Sequence, residues 1–251
     1  MKSNKIFKDM KRIIIEITSY CNRKCKYCPN YTIGRKNKLM KEKLFYKIIN
    51  NLKKYNFEGV ISPTGYGEPL TDPRLEKFVK YIKKNLPSSL ITISTNGDFL
   101  TIKKYLTLKQ NGVDYFLISN HVENPTNTAS ETIKFIKKNY PSLLKVYVKD
   151  VKLMIDKRLF HNRGGLVKNI KTKKYSRCPY NATDQMNINV DGDVLFCCHD
   201  YLAKHKFGNV FNEDLYKIWN SKKYIRFRNL IEIGKLPYKM CKICTGNFKE
   251  S

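Results

Sequence analysis

The chain has 251 residues, 41% of them hydrophobic, and sets 49 Lys and Arg against 21 Asp and Glu for a formal net charge of +28. That length suits one large domain, or one with a small appendage, and can bury an adequate core. No run approaches the roughly 18 apolar residues of a membrane span, and no signal-peptide core follows the basic N-terminus; a cytoplasmic location without membrane contact is expected, where eight cysteines argue for metal rather than disulfides.

Ile13 to Thr18 reads as a buried first strand. Cys21, Cys25 and Cys28 follow it in a CxxxCxxC loop, at the strand end where α/β enzymes keep their chemistry. Three thiolates cannot close a tetrahedral zinc site or ligate all four irons of a cubane cluster. They are free thiols, a zinc site completed from elsewhere, or a cluster with one iron left open to a small molecule. Lys41 to Lys54 carries Leu44, Ile48, Ile49 and Leu52 on one helical face. Gly59 to Thr64 is the second strand, ending in Gly65-Tyr66-Gly67-Glu68-Pro69-Leu70, with free backbone angles expected at Gly67. A helix from Pro73 to Asn85 is opened by Asp72 as N-cap.

Leu90 to Ser94 is the third strand, and Ser94-Thr95-Asn96-Gly97 forms a turn at its end. A helix over Thr101 to Asn111 leads to a fourth strand, Val113 to Ser119, with His121 just past its mouth. Thr128 to Asn139 is a helix and Leu143 to Val151 a fifth strand. Repeated βα units imply a parallel sheet with right-handed crossovers. The count stops at five or six units near Gly165, short of an eight-unit barrel. Lys168 to Lys174 reads as a linker.

The remainder differs in kind. Gln185 to Val190 and Val194 to Cys197 read as a hairpin around Asp191-Gly192-Asp193, and Asn212 to Ile233 as mostly helix around Trp219. Cys178, Cys197, Cys241 and Cys244 could close a zinc site or hold a cluster. Cys198 follows Cys197 on the predicted strand, so it is expected to point to the other face, as a small buried hydrophobe or a thiol hydrogen donor. His199 and Asp200 come next as candidate substrate contacts. Lys dominates the positive charge and is scattered over many helical faces, so a nucleic-acid partner is not expected.

These motifs resemble the radical S-adenosylmethionine (radical SAM) enzymes. The resemblance implies an α/β fold: a partial (β/α)5-6 TIM-like barrel over residues 1–165, followed by a small β-hairpin-plus-helix Twitch domain, a truncated SPASM domain, over 166–251. It implies two [4Fe-4S] clusters. Cys21, Cys25 and Cys28 would hold one, whose open iron binds SAM; Cys178, Cys197, Cys241 and Cys244 would hold an auxiliary one. Gly67, Glu68 and Pro69 match a GGEP-like turn on the SAM amino group, and Tyr66 stands where the family commonly has Gly. Ser94, Thr95, Asn96 and Gly97 match contacts to ribose and carboxylate, and Tyr27 an adenine contact. A flavodoxin- or ferredoxin-type reductant is implied as well.

Within the family, the branch of dehydrogenases acting on aminocyclitols in antibiotic biosynthesis shares Cys-Asn-Arg-x-Cys-x-Tyr-Cys-Pro-Asn (21–30), Tyr-Gly-Glu-Pro-Leu (66–70), Thr-Asn-Gly-Asp-Phe-Leu (95–100) and Asn-Arg-Gly-Gly (162–165). Val122 to Lys157 matches poorly. This resemblance implies that Tyr66 and Arg163 lie at a small polyol or sugar substrate, with His121 and His199 as further contacts. A 5′-deoxyadenosyl radical would take hydrogen from a carbinol carbon, and the auxiliary cluster would accept the second electron, leaving a ketone. Arg163 would stabilise a developing alkoxide rather than act as a base, its pKa exceeding 12. Three other readings stay open: an epimerase using Cys198 as hydrogen-atom donor, modification of RNA or peptide, and a non-catalytic iron–sulfur regulator.

Overall fold

The computed structural model describes residues 9–121, 127–157, 162–168, 170, 173–180 and 182–248. Its parallel part alternates strands and helices: β1 (Arg12–Ile15), α1 (Pro29–Thr32), α2 (Glu42–Lys54), β2 (Val60–Ser62), α3 (Leu75–Asn85), β3 (Leu90–Thr95), α4 (Ile102–Gln110), β4 (Tyr115–Asn120), α5 (Asn127–Asn139), β5 (Val146–Asp150) and α6 (Val151–Asp156). Then come β6 (Gln185–Ile188), β7 (Asp193–Leu195), β8 (Lys206–Asn209), α7 (Leu215–Trp219), α8 (Lys222–Glu232) and α9 (Lys239–Cys244). All eight strands form one sheet in the order β5-β4-β3-β2-β1-β6-β7-β8. The first five are parallel, and β6 also pairs parallel with β1, from Arg12 against Gln185 to Ile15 against Ile188. β7 and β8 then run antiparallel.

The sheet separates an apolar layer from a polar one. Alternation along β1 turns Ile13, Ile15 and Ile17 to one face, where all are fully buried in the core that also holds Phe45 and Ile48 of α2 and Phe78 of α3. The other set of positions is polar: Glu16, Ser62, Thr64, Thr92, Asn187 and Asn189 are all buried. Ser62 Oγ donates to Thr92 O at 2.9 Å and lies 2.9 Å from Thr64 Oγ1. Buried polar groups persist where they are hydrogen-bonded or where a ligand site needs them, so this face marks the interior that can receive a polar molecule.

Several expectations are corrected. The ladder of β1 stops at Ile15 rather than Thr18, because Thr18 instead bridges to Leu39. The helix expected over Asn212 to Ile233 is two helices. Asp214 caps α7 through Tyr216 N, and Ser221 restarts the chain as α8 by accepting from Tyr224 N. Arg228 locks the corner, its guanidinium carbon 3.8 Å from the Trp219 ring centroid and Nη1 donating to Trp219 O. Strand β8 and helix α9 were not anticipated. Within the proposed linker, residues 169, 171 and 172 lie outside the described residues. Among the described residues no helix is long and apolar enough to cross a membrane.

Candidate active site

The CxxxCxxC loop leaves β1 and ends on α1, with Cys28 as N-cap and Pro29 at the first helical position. Cys28 N donates to Cys25 O at 2.9 Å, so the last two cysteines share a tight turn. Side chains from the end of β3 pin the loop. Arg23 forms a two-pronged pair with Asp98 at 2.8 and 2.6 Å, and Asn22 Nδ2 donates to the same carboxylate. Asn96 Nδ2 donates to Asn22 Oδ1 at 2.8 Å and lies 4.0 Å from Cys21 Sγ. Burial pushes the Cys21 thiol up to about 11, and the neighbouring Glu68, Cys28 and Cys25 add to it. A buried thiol so placed stays protonated until a cation replaces the proton, which is the chemistry of a metal-ligand set.

The turn after β2 is held against this loop. Glu68 N donates to Tyr20 O at 2.8 Å. A Cβ on Gly67 would lie 2.5 Å from Tyr20 O and closer still to Thr18 O. Gly67 is therefore needed for close approach, not for the unusual backbone angles expected of it; it is Gly97 that takes a positive φ, of 82°. The Glu68 carboxylate accepts from Thr95 Oγ1 and Asn96 N at 2.7 Å and from Leu70 N at 3.0 Å. Burial nevertheless pushes it up to about 7. Pro69 opens a short 3-10 turn to Thr71. Tyr27 meets His121, oxygen to Nδ1 at 2.7 Å with stacked rings, and Cys25 Sγ is 3.8 Å from the same nitrogen. Burial and then Arg23 push His121 down to about 4. His121 thus faces the cysteine loop and is not among the residues lining the cavity below.

That cavity, of about 250 Å³, lies on the polar face and is lined by Glu16, Tyr66, Arg163, Asn187, Cys198 and His199 among others. Glu16, Asn187 and Tyr201 also line it and Arg35 pairs with Glu16, and no local spacing in the sequence advertises any of the four. Glu16 receives both Arg35 nitrogens at 2.7 and 2.9 Å, and the N–H groups of Tyr66 and Val190. Tyr66 stacks on Tyr201 with centroids 4.1 Å apart, and the Arg35 guanidinium lies 4.7 Å from its ring centroid. The Tyr66 hydroxyl and Asn187 Nδ2 are buried with no hydrogen-bond partner among the described residues.

Arg163 enters from a turn in which Asn162 Oδ1 accepts from Gly165 N, and it has a positive φ of 52°. Its Nη1 is 3.2 Å from His199 Nε2. A guanidinium only donates, so Nε2 accepts and the imidazole proton sits on Nδ1, 3.4 Å from Cys244 Sγ. Burial opposes the charge of Arg163, but Tyr201, Tyr180, Cys198 and Cys28 outweigh it and hold its pKa above the ordinary value. Arg163 is therefore linked through the His199 ring to Cys244 of the second cysteine set.

The second set converges from three segments. Cys241 and Cys244 sit on α9, which Asn162 Nδ2 ties to the Arg163 turn through Ile243 O at 3.0 Å. Burial pushes Cys244 up to about 12 and Cys241 up to about 11, and Cys178 raises both further. Cys197 Sγ accepts from His199 N at 3.4 Å and shares a hydrogen bond with Cys198. Because β7 ends at Leu195, strand alternation does not reach Cys198; it lines the cavity instead of pointing away from its neighbour. The Asp200 oxygens accept from Lys204 N and His205 N, which fixes the loop that follows. Among the described residues, no three Cys, His, Asp or Glu side chains close on a single-ion site.

Residues 15–155 match the radical SAM superfamily, and residues 178–245 match the SPASM iron–sulfur cluster-binding domain. The chain belongs to the radical SAM superfamily. A radical SAM enzyme uses a [4Fe-4S] cluster with SAM, and the three free thiols that the loop gathers beside the β1 end suit that group. This radical SAM enzyme is 32% identical over 240 residues to the S-adenosyl-L-methionine-dependent 2-deoxy-scyllo-inosamine dehydrogenase of Niallia circulans, spanning 93% of this chain and 92% of the relative. It is 34% identical over 113 residues, 45% of its length and 31% of the relative's, to the tungsten-containing aldehyde ferredoxin oxidoreductase cofactor-modifying protein of Pyrococcus furiosus. The crystal structure of BtrN in complex with AdoMet and 2-DOIA superposes with a TM-score of 0.84 at 29% identity, covering 94% of this chain and 92% of that one. Streptococcus suis SuiB bound to precursor peptide SuiA, at 15% identity, 95% and 72% coverage and a TM-score of 0.65, shares the fold.

Proposed function

We propose that the protein oxidises a secondary alcohol of a carbohydrate or cyclitol to a ketone, in the manner of the dehydrogenase it resembles. The observation that carries this reading is the cavity lined by Tyr66 and Arg163, where Arg163 Nη1 lies 3.2 Å from His199 Nε2 and His199 Nδ1 lies 3.4 Å from Cys244 of the second cysteine set. Cys21, Cys25 and Cys28 would hold the SAM-binding cluster, and Gly67, Glu68, Pro69, Ser94, Thr95, Asn96, Gly97 and Tyr27 would position SAM. Cys178, Cys197, Cys241 and Cys244 would hold an auxiliary [4Fe-4S] cluster. The bound groups would supply a hydrogen-atom abstractor and an acceptor for the second electron.

The protein's own residues do the rest. Arg163 donates to the substrate oxygen and stabilises negative charge as the hydroxyl ionises. His199 Nε2 already accepts from Arg163 Nη1, so it holds the guanidinium in place while the hydroxyl proton leaves to solvent. Tyr66, packed between Tyr201 and Arg35, presents its hydroxyl to the ring. A flavodoxin- or ferredoxin-type reductant and a cytoplasmic setting complete the proposal. A second reading has one observation in its favour: Cys198 lines the cavity, where a thiol could return a hydrogen atom in an epimerase. Mass spectrometry of product formed in deuterated water separates the two. The dehydrogenase gives a product lighter by two hydrogens with no carbon-bound deuterium, and Cys198→Ala keeps most activity. A product with no hydrogens lost, carrying deuterium and abolished by Cys198→Ala, establishes the epimerase instead.

A further inference from the structure

We infer that the cavity takes an uncharged or acidic polyol, with Asn187 reading one of its oxygens, whereas the resembling dehydrogenase is named for an amine. The inference rests on the proposal that this cavity receives the alcohol. Asn187 lies on β6 and is 4% exposed. Its Oδ1 accepts from Gln185 Nε2 at 2.8 Å, while its Nδ2 is buried without a partner among the described residues. An unpaired buried amide is costly, and its persistence at a cavity wall calls for an acceptor supplied by a ligand. An amide nitrogen only donates. It matches a hydroxyl or carbonyl oxygen and cannot serve an ammonium.

The charges around the cavity agree. Glu16 is the one Asp or Glu among the described lining residues, and it is committed to Arg35 and to two backbone N–H groups. Burial pushes the hydroxyl pKa values of Tyr66 and Tyr201 up, so both stay neutral. Cys198 shares the cavity wall with Arg163. An ammonium would enter beside a guanidinium and meet no uncommitted carboxylate, in surroundings that screen charge poorly. An oxygen-rich neutral ligand meets donors from Arg163, Asn187 and Tyr66.

The test is titration calorimetry on the reconstituted enzyme with SAM, using two probes. One is 2-deoxy-scyllo-inosamine; the other is the deoxyinositol that carries a hydroxyl where the first carries its amino group. The hydroxyl compound should bind about tenfold tighter or more. Asn187→Asp keeps the shape and the Gln185 contact but replaces the donor with a carboxylate oxygen, and should reverse the preference. Asn187→Leu should weaken binding of the hydroxyl compound yet raise the melting temperature of the ligand-free protein, since an unpaired donor is removed. Equal or tighter binding of the amine by the wild type, or binding of neither probe, overturns the inference. So does an Asn187→Leu protein that melts lower and binds as before. Binding of the hydroxyl compound without conversion to a ketone leaves the inference standing and overturns the dehydrogenase reading.

Discussion

At Arg163 a residue other than glycine holds a φ of 52°, a conformation that side chains adopt only where the surroundings enforce it. The turn and α9 enforce it here to aim the guanidinium into the cavity. Arg163→Ala should slow ketone formation by about 10²-fold or more while SAM cleavage persists, as read by product and 5′-deoxyadenosine yields. Glu68 gives a pH prediction. Burial lifts its pKa to about 7, and the ammonium of SAM would favour its charged form. SAM binding should therefore release a proton below about pH 7 and tighten severalfold between about pH 6 and 7.5. Glu68→Gln should bind weakly with no such slope; an unchanged slope in calorimetry sinks the pairing. Without SAM the sign is opposite. The folded protein holds the Glu68 proton more tightly than the unfolded chain, so Glu68 makes stability fall as pH rises from the ordinary 4.5 to about 7. The cysteine spacing, Glu68 and Arg163 were legible in the sequence because each sits in a short motif. Glu16 and Asn187 were not, because only the pairing of Ile14 with Asn187 across β1 and β6 brings their segments together, and Arg35 was not, because it reaches Glu16 from the loop after α1.

Among the elements, the turn after β2 depends on Gly67. Gly67→Ala would force its Cβ into two backbone oxygens, so the cysteine loop must retreat. The variant should fold, with unchanged far-ultraviolet circular dichroism, but lose SAM binding and bind iron poorly. The Glu16–Arg35 pair joins the β1 end to the hairpin tip at Val190, with side chains 2% and 14% exposed. Arg35→Met strands a buried carboxylate and should cost about 3–5 kcal/mol in denaturant unfolding. The βα alternation was legible because α2 and α3 bury strongly one-sided apolar faces. The hairpin was legible through its Gly turn, but its reach was not. β7 is three residues long, too short for alternation to say where Cys198 points. β8 contains a glycine in four residues, and α9 is a single short run whose place is set by the Arg163 turn.

For the molecule as a whole, anaerobic reconstitution should load about eight irons and eight sulfides per chain as two four-iron clusters. Changing Cys21, Cys25 and Cys28 together to Ala should halve the iron and abolish SAM cleavage. Stoichiometric zinc with about four irons would overturn the auxiliary cluster. The charge of +28 should give only weak nucleic-acid binding that fades at about 0.2 M salt. The single sheet has one more consequence. β1, made first, lies between β2 and β6, and β6 is not made until most of the chain has left the ribosome. Early intermediates therefore expose one edge of β1, with the first three cysteines dangling from its end, until the last third arrives. Cluster delivery to the first site then belongs after synthesis, and a truncated product lacking the hairpin is a hazard to the cell rather than a half-active enzyme.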